Sequence, residues 1–90
     1  MHRPYLEVTF RKGRPLAAYL TLPRSPGQKA HKSRPAEAGL VVDFARDGSP
    51  IGVEITAPSV VTLAAVNRVL RTLGQPPLAR ADFAPLRAAS

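Results

Sequence analysis

Residues 40–55 constrain the fold more tightly than any other stretch of the chain. Leu40, Val42 and Phe44 alternate with Val41 and Asp43, Arg46-Asp47-Gly48-Ser49 intervenes, and Ile51, Val53 and Ile55 resume the alternation. A period of two puts every second side chain on one face of a strand. Asp-Gly between two such runs signals a tight hairpin, because the favoured turns need positive φ at central positions. Pairing Phe44 with Ile51, Val42 with Val53 and Leu40 with Ile55 brings all six apolar side chains to one face and centres the turn on Asp47-Gly48. A slip of one residue would turn them all outward, so the pattern and the turn chemistry specify one register.

The first third of the chain repeats this logic. Leu6, Val8 and Phe10 alternate with Tyr5, Glu7 and Thr9. After Arg11-Lys12-Gly13-Arg14-Pro15, an apolar row resumes at Leu16, Ala18, Leu20 and Leu22. The expected register sets Phe10 against Leu16, Val8 against Ala18 and Leu6 against Leu20, with Gly13 at the centre of a three-residue loop. Residues 23–38 have no apolar period. Pro23, Pro26, Gly27 and Pro35 interrupt regular structure, and Arg24, Lys29, Lys32 and Arg34 make the segment basic, so it is expected to be a long mobile loop.

Beyond the second hairpin, Thr56 and Ser59 are candidate N-caps for a helix over 59–73 with Pro58 near its first turn. Leu63, Val66, Leu70 and Leu73 recur at helical spacing, Val60, Val61 and Val69 widen the stripe, and Gly74 followed by Pro76-Pro77 stops it. A short last helix is expected around 79–88, with Phe83 and Leu86 packing back. The expected fold is therefore one α+β domain over residues 1–90, a four-stranded antiparallel sheet made of two β-hairpins and packed by a C-terminal helix. At 90 residues the chain has room for a single modest core.

The second hairpin, from Gly39 to Ile55, resembles the central motif of the bacterial family Domain of Unknown Function 2283. In that family an aliphatic-Asp-aromatic strand leads through Asp-Gly to an aliphatic-Gly-aliphatic-Glu-aliphatic strand, matched here by Val42-Asp43-Phe44, Asp47-Gly48 and Ile51-Gly52-Val53-Glu54-Ile55. Ala17-Ala18-Tyr19-Leu20-Thr21-Leu22 resembles its preceding strand more weakly, so the likeness spans about residues 15–57. The family's acidic approach to the first strand is replaced here by Arg11, Lys12 and Arg14, and its acidic residues before the third strand by the basic segment. The resemblance implies a small meander without established chemistry. It also implies an antitoxin-like or partner-binding component of a small bacterial two-protein system.

Charge limits the choice of partner. The chain carries +7, and residues 1–37 hold most of it, with eight lysines and arginines against two glutamates. Such a block attracts nucleic acid, an acidic protein or anionic lipid. There is no cysteine, which excludes disulfides, thiolate metal sites and a cysteine nucleophile. No apolar run approaches the roughly 18–20 residues of a membrane span, and Met1–Glu7 has no apolar core of a secretory signal. A cytoplasmic location and no membrane partner are expected. The Ala-, Arg- and Pro-rich composition points to a bacterial source.

Three groups of residues are candidates for function. Arg11, Lys12, Arg14, Arg24, Lys29, Lys32 and Arg34, with Tyr5 and Tyr19 facing out as stacking platforms, form a candidate partner or nucleic-acid surface. Glu7, Asp43 and Glu54 share the outward sheet face, where carboxylates bind a cation, share a proton or simply pair with arginine. Gly52, opposite Asp43, leaves room for a neighbouring side chain. Val61, Ala65 and Val69 form an apolar row on the helix that an interface with a partner or a second copy would cover. No Ser-His-Asp constellation, phosphate loop or histidine pair with ligand spacing is present; His2 and His31 stand alone. The sequence is thus expected to encode a non-enzymatic interaction module without cofactor or metal, binding another protein or itself. The alternatives are a nucleic-acid-binding protein using the basic N-terminal third and a small carboxylate-based metal-binding protein.

Overall fold

The structure, a computed structural model, describes residues 4–86. His2, Arg3 and the last two positions of the expected final helix, 87 and 88, lie outside the described residues. Five strands are present: β1 Tyr5–Arg11, β2 Arg14–Thr21, β3 Lys32–Glu37, β4 Leu40–Phe44 and β5 Pro50–Ile55. They form one fully antiparallel sheet in the order β1-β2-β5-β4-β3. Helix α1 (Leu63–Thr72), the short helix α2 (Arg80–Phe83) and a 3-10 turn at Ala84–Leu86 follow. The expected α+β class with an antiparallel sheet and a packed helix is present, but the sheet has one strand more than the apolar pattern shows.

That strand is β3, in the segment expected to be a mobile loop. Its side chains are exposed apart from a half-buried Glu37, so it has no apolar row to reveal it. Its order comes from the backbone ladder to β4 and from two side-chain anchors, Ser33 on Asp43 and Glu37 on Arg68. Pro35 is tolerated because β3 is an edge strand, where one side of the backbone needs no partner. The preceding stretch is held as well. The Gln28 side chain accepts from Ser25 N at 3.0 Å and reaches Asp47 and Ser49 at 3.4 Å, and His31 N donates to Phe44 O at 2.8 Å.

Both hairpins keep the expected register near the core and depart from it near their turns. Leu6 faces Leu20 and Val8 faces Ala18, but Phe10 faces Pro15 instead of Leu16. The loop is Lys12-Gly13, with φ of 53° and 77°, a two-residue turn whose twist matches the strands. A bulge leaving Leu16 as the extra residue of β2 reconciles this shorter turn with the inner register. In the second hairpin Val42 faces Val53 and Leu40 faces Ile55 as expected, while Phe44 faces Pro50. Asp47 accepts from Ser49 N at 2.9 Å and from Ser49 Oγ at 2.6 Å, which fixes the turn, and Ile51 remains fully buried beside the bulge.

The core lies between one sheet face and the C-terminal third. Leu20, Leu22, Leu40, Val42, Val53 and Ile55 meet Val61, Val66, Val69, Leu70, Leu78, Phe83 and Leu86. Phe10 and Leu16, expected in this inner row, are 48% and 53% exposed because the tip of the β1–β2 hairpin extends beyond its cover. Helix α1 begins later than expected. Its N-cap is Thr62, whose hydroxyl accepts from Ala65 N at 3.1 Å, and not Thr56 or Ser59. Gly74 at φ 72° ends the helix, with Gln75 N bonded to Leu70 O and Gly74 N to Arg71 O.

Gly39 combines two constraints. It closes the β3–β4 turn at φ 79°, and a Cβ there would lie 2.8 Å from Val61 Cγ2 and 3.2 Å from Ala57 Cβ. Gly48 has φ 90° with open space around it. Gly39→Ala is therefore expected to lower stability by about 3 kcal/mol, against about 1 kcal/mol for Gly48→Ala, since only the first adds a packing clash to the left-handed backbone cost. Urea denaturation of the two variants measures the difference.

Candidate functional site

The face of the sheet away from the helix carries a closed polar cluster. The registers align Tyr5, Thr21, Gly52, Asp43 and Ser33 in one row across the five strands, and Glu7, Tyr19, Glu54 and Val41 in the next. Asp43 is only 5% exposed. A carboxylate so placed needs partners for its oxygens. Oδ2 accepts from the Tyr19 hydroxyl at 2.9 Å and Oδ1 from Ser33 Oγ at 2.6 Å. Tyr19 reaches Asp43 by lying across Gly52, where any Cβ would overlap its hydroxyl and ring. The room expected beside Gly52 is thus taken by the tyrosine.

The titration behaviour follows from this packing. Burial pushes Tyr19 up to about 12 from its ordinary value near 10, the hydrogen bond to Asp43 and its negative charge add to the rise, and Arg24 opposes it. Glu54 is also raised, first through its hydrogen bond with Asp43, then through burial and the like charge of Asp43. Glu7 does not complete a carboxylate triad. Tyr19 and its strand stand between it and Glu54, a separation of roughly 10 Å over two strand spacings. Among the described residues no three His, Asp or Glu side chains gather in an arrangement able to hold a metal ion. Asp43 acts here as a pin joining β2, β3 and β4.

The basic residues separate into two groups. Arg11, Lys12 and Arg14 stand exposed at the tip of the β1–β2 hairpin. Lys12 does so with a left-handed backbone, a conformation an Asn or Gly would adopt more readily. Lys29, Lys32 and Arg34 lie toward the other end of the sheet, around two adjoining open depressions that His31, Phe44, Ala45 and Arg46 also line. Asp47 is the one carboxylate among the lining residues, and bonds from Ser49 hold its pKa below the usual range. Along β2 the two ends of the sheet are roughly 23 Å apart at the usual strand rise. Among the described residues the one ion pair is Arg68–Glu37 at 2.8 Å, so the cations of both groups face solvent without a carboxylate partner. Arg24 is half-buried near Tyr19 and belongs to neither group.

Of the two expected stacking tyrosines, Tyr5 is exposed and Tyr19 is engaged with Asp43. The expected apolar helix row does not exist as a surface. Val61 precedes the helix and is fully buried, Val69 is 4% exposed, and Ala65 packs against the core, because that side joins the cluster shared by the sheet and the C-terminal segment. Sequence reasoning missed His31 and Arg46 as members of the basic rim and Ser33 as a partner of Asp43. A strand assignment for residues 32–37 would have supplied all three, since it places His31 and Lys32 beside the β4–β5 turn and Ser33 opposite Asp43.

No family model matches this chain, and no curated protein or solved structure matches it. No helix among the described residues is long and apolar enough to cross a membrane.

Two expectations follow from the polar cluster. Gly52→Ala displaces the Tyr19 ring from Asp43 and is expected to cost about 2 kcal/mol, the scale of a lost hydrogen bond to a buried charged group. In the wild type, Tyr19 stabilises the fold as the neutral phenol, so its contribution is complete below pH 10 and disappears as pH rises toward about 12. Tyr19→Phe removes that alkaline dependence, as denaturation at several pH values will show. Glu54 behaves in the same sense at lower pH. Its raised pKa means that the fold favours the protonated form, and stability falls as pH rises through its titration. Glu54→Gln is expected to flatten the acid limb of the stability profile and to be at least as stable as the wild type at pH 7.

Proposed function

We propose that this chain is a non-enzymatic interaction module, the partner-binding half of a small two-protein system, and that its basic rim docks an acidic protein surface. The observation that carries this reading is the group of solvent-facing cations Lys29, Lys32, Arg34 and Arg46 around open depressions with an apolar floor at Phe44 and Ala45. Unpaired cations beside partly apolar surface suit a contact whose edge is electrostatic and whose centre is desolvated. The polar cluster supports the non-enzymatic part, since both oxygens of Asp43 are committed to structural hydrogen bonds and Tyr19 closes over it. The resemblance of residues 39–55 to Domain of Unknown Function 2283 is compatible with this reading.

Nucleic acid is the second reading, and the basic N-terminal third favours it. Acidic protein is preferred because the cations form two separated groups, not a continuous track, and because the half-buried Tyr19 is held against Asp43, leaving Tyr5 as the exposed tyrosine. Single-strand binders rely on several stacking aromatics along a basic groove.

The test is a pull-down with the tagged chain from lysate of the source cells, with and without nuclease, beside the variant Lys32→Glu/Arg34→Glu. An acidic protein retained after nuclease treatment and lost in the variant is the expected result. Retention that nuclease abolishes, and that weakens by about a hundredfold between 50 and 200 mM salt as four phosphate contacts would require, transfers the assignment to nucleic acid. A partner that binds the variant as well as the wild type removes the basic rim from the interface.

A further inference from the structure

The two edges of the sheet are unequal. Edge strand β3 is defended against further pairing by Pro35, by Lys32 and Arg34, and by an irregular register between Pro35 and Glu37. Edge strand β1 lacks a proline, its two charges, Glu7 and Arg11, are of opposite sign, and the register irregularity beside Thr9 falls on β2. It runs seven residues from Tyr5 to Arg11 without glycine. Every second N–H and C=O of such a strand points away from the sheet with no strand beyond it. Its inner row is also incompletely covered, with Leu6 and Val8 half-buried and Phe10 48% exposed.

We propose that β1 pairs antiparallel with β1 of a second copy of this chain, about a twofold axis through Thr9, to form one ten-stranded sheet. The sequence of the strand is self-complementary in that register. Thr9 faces the partner's Thr9, Glu7 faces the partner's Arg11, and Val8 faces the partner's Phe10. Threonine pairs, opposite-charge pairs and aromatic–β-branched pairs are the favourable cross-strand combinations of antiparallel sheets. The arrangement covers the exposed face of Phe10 on both copies and places no like charges opposite one another. A register centred on Glu7 would oppose the two glutamates. The pairing also closes. An isologous contact uses both β1 edges, and the edges left over are the two defended β3 strands, so assembly stops at a dimer instead of growing into a fibre. This surface is separate from the basic rim, and either assignment can fail without the other.

The test is sedimentation equilibrium of the full chain across a concentration series, with Glu7→Arg, Arg11→Glu and the double variant Glu7→Arg/Arg11→Glu. Both residues are exposed and form no ion pair among the described residues, so all variants are expected to fold, which circular dichroism checks. Each single variant is expected to weaken dimerisation by about tenfold or more, and the charge exchange in the double variant to restore it. The chain has no cysteine, so Thr9→Cys supplies an independent measurement. On the twofold axis the two introduced thiols stand at a Cα separation of roughly 4.5–5.5 Å, within disulfide reach. Mild oxidation should link Thr9→Cys rapidly and Glu7→Cys slowly. A wild type that remains monomeric at millimolar concentration overturns the proposal. So does a dimer indifferent to the single charge variants, a double variant that does not recover, or equal oxidation rates at positions 7 and 9.

Discussion

The carboxylate of Asp43 is the contact on which the arrangement of this sheet turns. It is buried, and a buried charge persists only where its hydrogen bonds are met. Tyr19 reaches it from β2 across Gly52, and Ser33 reaches it from the edge strand β3. One side chain on β4 therefore ties together strands on both its sides, including one that is not its neighbour in the sheet. The bare backbone of Gly52 makes this bond possible, because any side chain on β5 at that position would occupy the path of the tyrosine. Burial first, and then the bond to Asp43, hold the proton on Tyr19 to unusually high pH.

Fixing β5 between β2 and β4 has consequences at both margins of the sheet. It leaves β1 and β3 as the edges, and the chain has treated them differently. β3 carries Lys32 and Arg34 and a proline, features that suit solvent and a charged partner. β1 keeps a regular backbone and an apolar inner row. The cations follow the same division. Those near β3 gather around open depressions lined by Phe44 and Ala45, and those at the β1–β2 tip stand beside the exposed Phe10 and Leu16. A small domain with one core buries nearly all its large apolar residues on a single face, so interaction surfaces must be built from edges, tips and rims.

The inner halves of both hairpins were legible in the sequence because burial on one face enforces a period of two. Val42 with Val53, Leu40 with Ile55, Leu6 with Leu20 and Val8 with Ala18 all pair as the pattern requires. Next to the turns the same reasoning failed, since a bulge lets the backbone absorb a residue without disturbing the core rows. Phe10 and Leu16 alternate as core residues do, yet the period of a strand does not say where its cover ends. Likewise the valines at 61 and 69 fit an exposed helix stripe on paper, and the way the chain wraps the sheet buries both. The acidic pair Asp43 and Glu54 was recognised as sharing a face, whereas the intrusion of Tyr19 between Glu7 and Glu54 was not.

Legible in local stretches of the chain are its α+β character, two tight antiparallel hairpins, a helix that stops at Gly74, and a basic first third. Each of these is encoded in neighbouring residues, through alternation, turn chemistry, capping or charge. Only the tertiary structure decided that β5 lies beside β2, that residues 32–37 form a strand, and that the cations divide between opposite ends of the sheet. Those features depend on contacts between residues far apart in the chain, Tyr19 with Asp43, Ser33 with Asp43 and Glu37 with Arg68, and local periodicity carries no record of them.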